Sequence, residues 1–218
     1  MNYFDLFPNV QLPSFSDKRN SSKDFITVKN LFKRGKVRED FFQNVTAFYQ
    51  YSVVGDDRPD NVAQKIYEND QLDWVVLIAN NIINIRDEWP MSQYDFQRYL
   101  NNKYDSVQLS QIHHYETTEI RSPNDKLLLQ SGLTVDADFT FSYSYGTTTY
   151  NVNSVTSVSN FQHEVNKNDA KRNIYLVRPE YVGTVINDMR EIMTYTDSSQ
   201  YINRKLKKGD NLRMLEPR

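Results

Sequence analysis

Three histidines are the side chains of this 218-residue chain best suited to binding a metal. His113 and His114 are adjacent in the segment IHHYETTEI, and His163 lies further along the chain. If IHHYETTEI forms a strand, adjacent side chains point to opposite faces, so His113 and His114 cannot chelate one ion from that strand alone. We therefore expect no metal site and no cofactor, and we interpret the histidines as ordinary surface or interface residues.

Acidic side chains near the turn GDDRPD raise a second chemical possibility. Glycosidases use two carboxylates several ångströms apart, and Asp56 or Asp57 with Glu88 would fit that pattern. The chain has 28 acidic residues, so such pairs arise by chance, and turn or helix-capping roles explain Asp56 and Asp57 more simply. The sequence also lacks a nucleophile elbow, a phosphate-binding glycine loop and metal-ligand spacing. We predict that the protein is not an enzyme.

Composition narrows the remaining classes of function. The net charge is -2 and the pI is near 5.9, which does not favour binding to nucleic acid or to a membrane surface. There is no cysteine, so disulfides and thiolate metal sites are excluded. The longest strongly apolar run, residues 74 to 79, is too short to span a bilayer, and the first residues lack the pattern of a signal peptide. The 15 tyrosines and 12 phenylalanines suit protein interfaces.

Residues 48 to 104 carry the clearest pattern of secondary structure. FYQYSVV predicts a strand, and GDDRPD predicts a turn after which Pro59 begins a helix. The run around Trp74 is apolar nearly all round, which predicts a second, buried helix. That helix is predicted to end at Asn80 and Asn81, because asparagine tolerates the left-handed conformation found at helix ends.

A third helix, residues 92 to 104, is predicted from Ser92 and Asp95, whose spacing resembles a capping box. The rest of the chain divides into segments of different composition. The predicted organisation has four parts: an N-terminal arm and lead-in segment (residues 1 to 47, of which 1 to 24 are extended), the module with its inserted helix (48 to 120), a β-hairpin region plus a helix (121 to 193), and a polar and basic tail (194 to 218). Residues 105 to 177 are interpreted as β. The helix is predicted at residues 178 to 193, where Val185 and Met189 belong to an apolar stripe.

An alternating segment, residues 139 to 152, predicts a β-hairpin with one aromatic face. Phe141, Tyr143 and Tyr145 point one way, the intervening serines point the other way, and Gly146 marks the turn. Two interpretations stay open. The aromatic face covers the protein's own core, or part of it packs on another subunit.

The order strand, Gly55-Asp56 turn, helix, short break and helix resembles a LysM domain, a module that binds N-acetylglucosamine polymers. The chain departs from the usual pattern, since Arg58-Pro59 stands where a threonine and an apolar helix start are usual. The segment after NNI also lacks the Pro-Gly turn that normally leads into the closing strand. A peptidoglycan-binding LysM module is therefore the alternative function rather than the preferred one.

The longer segment RPDNVAQKIYENDQLDWVVLIANNIINIRDEWPMS resembles the LysM-containing baseplate wedge protein of contractile-tailed phages. The resemblance is clearest over residues 48 to 120, extends to 171 to 181, and rests on Arg58-Pro59, Ala63, Tyr67, Leu72, Trp74, Asn80 and Trp89-Pro90. It implies a structural virion protein of the tail baseplate, assembled in the host cytoplasm. It also implies that the protein joins wedge subunits and neighbouring wedges into the baseplate ring by protein–protein contacts, without catalysis and without a nucleic-acid, membrane or sugar ligand.

The patterns and the resemblance together predict an α+β fold: a small LysM-like βααβ module with an inserted helix, flanked by extended arms and a β-rich C-terminal part closed by one helix. We expect residues 49 to 54 to pair with a strand within residues 112 to 120. Trp89 is open to two interpretations, a cap on the module or a platform for a sugar or a protein. The candidate core and partner-contact residues are Gly55, Asp56, Arg58, Pro59, Trp74, Asn80, Trp89, Pro90, Phe141, Tyr143 and Tyr145.

Replacement of Trp74 tests whether the apolar helix forms the core. Trp74→Ala should lower the free energy of unfolding by ~3–5 kcal/mol, as for a large buried aromatic residue. Denaturant melts of the two proteins measure the difference. A loss below about 1 kcal/mol, the scale of ordinary surface changes, would show that Trp74 is not part of the core.

Overall fold

The computed structural model describes residues 2–13 and 25–209. It is an α+β structure, as predicted, with several small sheets. Within those ranges, no helix is both long enough and apolar enough to cross a membrane.

The helices of the described residues are mostly short. In chain order they are α1 (Tyr3–Leu6), α2 (Glu39–Phe42), α3 (Pro59–Tyr67), α4 (Asp73–Ala79), α5 (Ile85–Glu88), α6 (Gln93–Lys103), α7 (Ser106–Ser110), α8 (Asn160–Ala170) and α9 (Pro179–Ile192), with 3-10 turns at Val45–Ala47 and Asp70–Leu72.

The strands are also short, and each has at most six residues. In chain order they are β1 (Asn9–Pro13), β2 (Phe25–Lys29), β3 (Phe48–Ser52), β4 (Ile112–Thr117), β5 (Ile120–Arg121), β6 (Leu127–Leu129), β7 (Thr134–Val135), β8 (Phe141–Tyr145), β9 (Thr148–Val152), β10 (Val155–Ser159), β11 (Asn173–Val177), β12 (Tyr201–Asn203) and β13 (Leu206–Lys208).

The chain forms two compact units, and the second is inserted into the first. The first unit comprises the described residues up to Trp89 and from Asn173 onward, and the second comprises Pro90–Arg172. The first unit contains α1 to α5, α9, β1 to β3 and β11 to β13, and the second contains the remaining elements. The inserted segment is therefore a whole unit rather than the single predicted helix.

The centre of the first unit is an antiparallel pair of distant strands, β3 and β11. Phe48 lies opposite Val177, and Ser52 lies opposite Asn173. The expectation that β3 pairs within residues 112 to 120 is therefore wrong. The sequence of a short strand does not indicate which other strand it pairs with. The inserted unit also places the closing strand much later in the sequence. Residues 112 to 117 instead form β4, which pairs with β7 and β10 inside the second unit.

Helices α3, α4 and α9 bury their apolar faces in the core of the first unit. Trp74 is only 3% exposed, in agreement with its place in the predicted buried helix. The core also contains Val62 of α3, Leu176 of β11, and Val185 and Met189 from the predicted stripe of α9. Within each element the buried apolar residues are spaced to lie on one face, so the burial follows from the apolar pattern of that element.

Residues 2–13 belong to this core and are not an extended arm. Leu6 and Phe7 are buried, and the ring centroid of Tyr3 lies 5.7 Å from that of Trp74. Strand β1 pairs in parallel with β13 and antiparallel with β2. The prediction of an arm is wrong here because these apolar side chains find partners far away in sequence. Residues 14–24 and 210–218 of the predicted arm and tail lie outside the described residues.

Two side chains tie the helices of the first unit to the closing strand. The Asn80 amide nitrogen donates to Val76 O and to Tyr175 O, both at 2.8 Å, and its amide oxygen accepts from Tyr175 N at 2.7 Å. Asn80 therefore pairs with the edge of β11 in the way that another strand would. The Tyr67 hydroxyl donates to Val177 O at 2.9 Å, and burial raises the pKa of this phenol above its ordinary value.

The second unit is built on a three-stranded sheet in the order β10-β4-β7. Helix α6 begins after Ser92, whose hydroxyl accepts from Asp95 N at 3.1 Å, which is one half of the predicted capping box. The Asp95 carboxylate accepts from the Ser92 hydroxyl, at 2.8 Å. The reading of residues 105 to 177 as β overlooked α7 and α8. Helix α8, NFQHEVNKNDA, has too few apolar residues to show a helical stripe, and its buried positions include the polar Glu164 and Asn168.

The buried Glu164 carboxylate joins α6 to α8. It accepts from Lys103 Nζ at 2.6 Å, from the Tyr104 hydroxyl at 2.9 Å and from the Tyr99 hydroxyl at 3.2 Å. Burial by itself raises the pKa of Glu164, but the hydrogen bonds from Lys103, Tyr104 and Tyr99 outweigh it and hold the pKa below its ordinary value. The same carboxylate raises the pKa of Lys103.

Asn80→Asp tests the link between α4 and β11. The substitution keeps the side-chain shape but removes the nitrogen that donates to Val76 O and Tyr175 O, so the free energy of unfolding should fall by ~1–3 kcal/mol. The matched control is Asn81→Asp, because within residues 2–13 and 25–209 the Asn81 side chain makes one hydrogen bond, in which its oxygen accepts from Arg34 at 3.3 Å. Urea melts should show the loss for Asn80→Asp alone, and equal losses would contradict the link.

The Glu164 cluster predicts a pH-dependent contribution to stability. Because the folded pKa is lowered, the ionised carboxylate stabilises the fold fully above the unfolded pKa, and this contribution disappears as the pH falls through the folded value. Glu164→Gln should cost ~1–3 kcal/mol near pH 7, and the difference from the wild type should shrink in acid. Melts across this range measure it. Glu119→Gln, at an exposed ion pair, should change little. A gap that is constant with pH would contradict the assignment.

Candidate functional site

The exposed candidate residues of the first unit lie on three segments, residues 31–34, 54–58 and 81–88. We call these three segments the loop face. Trp89, which follows the last segment, is only 5% exposed, and its indole nitrogen donates to Asp57 O at 2.9 Å. The ring caps the turn from inside and is not available as a platform for a sugar or a protein. The adjacent Pro90 is buried as well.

The turn of residues 54–58 is held by local contacts. Gly55 has φ +58, in the left-handed region that favours glycine, and Asp57 N donates to Val54 O at 3.3 Å. The Asp57 carboxylate pairs with Lys65. The N-cap position of α3 is Arg58, whose side chain lies 3.2 Å from that of Asp60. The sequence predicts a turn or capping role for Asp56 and Asp57; Asp57 lies in the turn, and its carboxylate pairs with Lys65.

The loop of residues 81–88 is folded on its own side chains. The Glu88 carboxylate accepts from Asn84 N at 3.1 Å and also from Ile83 N. The Asn84 side chain in turn accepts from Arg86 N at 3.2 Å, which begins the short helix α5. Asn81 has φ +53, the left-handed conformation expected at the end of the buried helix. Glu88 therefore has a structural role in this loop, as an acceptor of backbone hydrogen bonds.

Large apolar side chains project from the loop face into solvent. Phe32 is fully exposed at 101%, and the exposed set also includes Leu31, Val54, Ile83 and Ile85. Arg34 Nη2 donates to Asn81 Oδ1 at 3.3 Å, which brings the segment of Phe32 to the segment of Ile83. Exposed apolar side chains that lie on neighbouring segments, as the Arg34–Asn81 contact places these, are typical of surfaces that contact other proteins. Sequence analysis missed Phe32, because a single phenylalanine beside basic residues gives no signal of exposure.

The hairpin of β8 and β9 turns at Gly146, as predicted, and its register places Phe141 opposite Val152 and Tyr143 opposite Tyr150. Gly146 has φ +63, and the Tyr143 and Tyr150 rings stack across the strands at 5.3 Å. Phe141 and Tyr143 are partly buried, whereas Tyr145 and Tyr150 are 41% and 42% exposed. The aromatic face is thus only partly covered by the second unit. Tyr150 joins the face because the antiparallel register puts it opposite Tyr143.

The three histidines converge in the second unit, contrary to expectation. The His113 and His114 Nδ1 atoms are 2.8 Å apart, and the His113 and His163 rings stack at 4.0 Å. Adjacent strand residues do not point to opposite faces here because His113 lies at an irregularity in the pairing, where Val158 faces His114 but Ser159 faces Ile112. Burial lowers the pKa of His163, and His113 and His114 lower it further, which favours the neutral ring.

Taken together, the fold and the exposed residues define a small α+β protein whose ordered loops and hairpin present apolar and aromatic side chains, a combination that suits a structural subunit of an assembly. The chain belongs to the family described as Base plate wedge protein 53, whose model matches residues 3–124. It is therefore a structural protein of the phage baseplate and a component of the virion tail. A search of curated proteins gives no match to the chain.

The matched range covers β3, α3 and α4 of the first unit and ends within the second unit, before β11. All three segments of the loop face lie inside it, whereas the β8–β9 hairpin and His163 lie outside it. The family assignment accordingly rests on the segment that also carries the resemblance seen in the sequence.

Proposed function

We propose that this protein joins neighbouring wedge subunits into the baseplate ring through the loop face of its first unit. The observation that carries the proposal is the exposure of Phe32 and its apolar neighbours on the loop face. A phenylalanine that is left wholly in water gains most of its burial free energy only when a partner covers it. Aromatic residues also dominate the binding free energy of protein interfaces when they fill a partner's pocket.

The backbone that presents Phe32 is fixed before any partner binds. Phe32 N donates to the Asn30 side-chain oxygen at 3.1 Å, and the Asn30 amide nitrogen donates to the Tyr195 hydroxyl at 2.8 Å. Lys33, the next residue, donates to Thr194 O. Because these contacts already order the loop, less conformational entropy is lost on docking.

The hairpin supplies a second contact surface in this proposal. Tyr145 and Tyr150 are partly exposed, and Phe141 and Tyr143 support them from within the aromatic face. Tyrosine offers large contact area with little side-chain entropy to lose, so the face suits docking on a neighbouring wedge. The second of the two interpretations of the hairpin, contact with another subunit, is the one proposed.

The order β3, α3, α4 and β11 supports the proposal of a LysM-like βααβ module whose closing strand follows an insertion. Sugar binding is not proposed for it. Trp89, the candidate platform for a sugar, is turned inward, and Glu88, the candidate carboxylate for glycosidase chemistry, is occupied by the Ile83 and Asn84 backbone. The other exposed side chains of the loop face combine large apolar residues with charges of both signs, such as Arg58 and Asp56, which fits protein contact better.

Phe32→Ser combined with Ile83→Ser tests the proposed interface. Both side chains are exposed, so the melting temperature should stay within about 2 °C of the wild type, as for surface substitutions. Purified wedges should need at least ~10-fold more of the variant than of the wild type to form rings, because loss of a hot-spot residue lowers the binding free energy by about 1.4 kcal/mol or more. Sedimentation and electron microscopy measure ring formation.

The matched control is Tyr94→Ser, an aromatic residue that is 75% exposed on α6 of the second unit. It should assemble normally. Rings that form equally well with the double variant would refute the loop face as the joining surface. Saturable binding of the wild type to peptidoglycan, lost in the double variant, would favour the sugar-binding alternative.

A further inference from the structure

The histidines of the second unit form a compact cluster although they come from two separate elements. His113 and His114 belong to β4, and His163 belongs to the start of α8. One ring nitrogen from each residue lies within 4.8 Å of the other two. The chain has three histidines, so the cluster contains all of them.

The backbone brings the rings together by two local devices. The irregularity at His113 in the pairing of β4 with β10 turns His113 toward the side of His114. Ser159 is both the last residue of β10 and the N-cap of α8, and its hydroxyl accepts from Gln162 N at 3.2 Å. Helix α8 therefore starts without a loop and carries His163 back to β4, where its ring is nearly parallel to that of His113, at 7°.

One hydrogen bond orients His114 for an ion, and a second has to be exchanged for the ion. His114 Nε2 lies 2.8 Å from the Glu116 carboxylate, which accepts, so the His114 tautomer with its proton on Nε2 has a lone pair on Nδ1. His113 Nδ1 lies 2.8 Å from that Nδ1 and donates to it in this tautomer, so an ion would take the lone pair when the His113 proton moves to its Nε2. A carboxylate behind a histidine in this way is the usual support of a metal ligand. Among the described residues, His163 has no hydrogen-bond partner for its ring nitrogens, so it too can offer a lone pair.

We propose that His113, His114 and His163 form a three-histidine site for a divalent late transition-metal ion, with zinc as the expected occupant. Imidazole nitrogen is a preferred ligand of zinc, copper and nickel. Tetrahedral zinc with bonds of about 2.0–2.1 Å separates its ligand nitrogens by roughly 3.3 Å. The observed separations, from 2.8 Å to at most 4.8 Å, bracket that value, so small side-chain rotations complete the site.

The bound ion would fasten β4 to α8 within the second unit. His113 is exposed, so a water molecule completes the coordination from the solvent side. Three protein ligands and a water leave one open coordination position, and the proposal concerns the connection alone: the three ligands come from the two elements that the ion would link. The site stands apart from the proposed wedge-joining function and does not depend on it.

The test uses the full-length chain without a histidine tag, freed of metal by a chelator and then titrated with Zn²⁺ or Co²⁺. Calorimetry should show one ion per chain, and Co²⁺ should produce the visible absorption of a tetrahedral nitrogen site. Zn²⁺ should raise the melting temperature in proportion to its saturation of the folded protein. His163→Gln should abolish the one-to-one binding, the cobalt spectrum and the shift.

Two further variants make the outcome unambiguous. Glu116→Gln, which alters only the support of His114, should weaken Zn²⁺ binding by ~10–100-fold and leave one ion per chain. Lys126→Gln, at an exposed position of the second unit, should bind like the wild type. The metal-free melting temperatures of all variants give the effect of each substitution on folding alone. Equal binding by the wild type and His163→Gln, or binding without a defined stoichiometry, would overturn the proposal.

Discussion

The pairing of β3 with β11 is the constraint on which the first unit depends. A two-stranded sheet is only marginally stable in water, so these strands persist because helices cover them and bond to them. Asn80 completes the hydrogen bonding of Tyr175, and Tyr67 completes that of Val177. Helices α3 and α4 in turn have a surface to pack on only when β11 is in place. The helices and the strand pair thus stabilise one another, and neither is complete alone.

A whole unit can be inserted between the partners of that pair because the entropy of closing a loop grows only slowly with its length. The inserted segment also carries its own stabilising contacts. Leu100 and Val158 are buried, and the Glu164 carboxylate with its three donors connects α6 to α8. The inserted segment can therefore form its own structure through these internal contacts, without depending on stabilising contacts from the first unit.

Aromatic residues serve two opposite purposes in this chain, and their type alone does not separate them. Phe7 and Trp89 are buried, whereas Phe32 is wholly exposed and Tyr150 is partly exposed. A buried ring needs apolar neighbours from other parts of the chain, and a ring left outside becomes available to another subunit. This division fits a baseplate protein, since a part of an assembly needs both a core of its own and surfaces that are covered only on assembly.

The sequence by itself determined the features that arise within a few residues. The helix begun by Pro59, the buried helix around Trp74, the cap at Ser92 and the turn at Gly146 each follow from local spacing, because helical and strand periods place neighbours on known faces. The family could also be recognised from the contiguous segment that contains those helices. Only the tertiary structure decided the partner of β3, the packing of residues 2–13, the inward turn of Trp89 and the meeting of His113 with His163. Each of these depends on contacts between residues far apart in sequence, whose free energies no local pattern records.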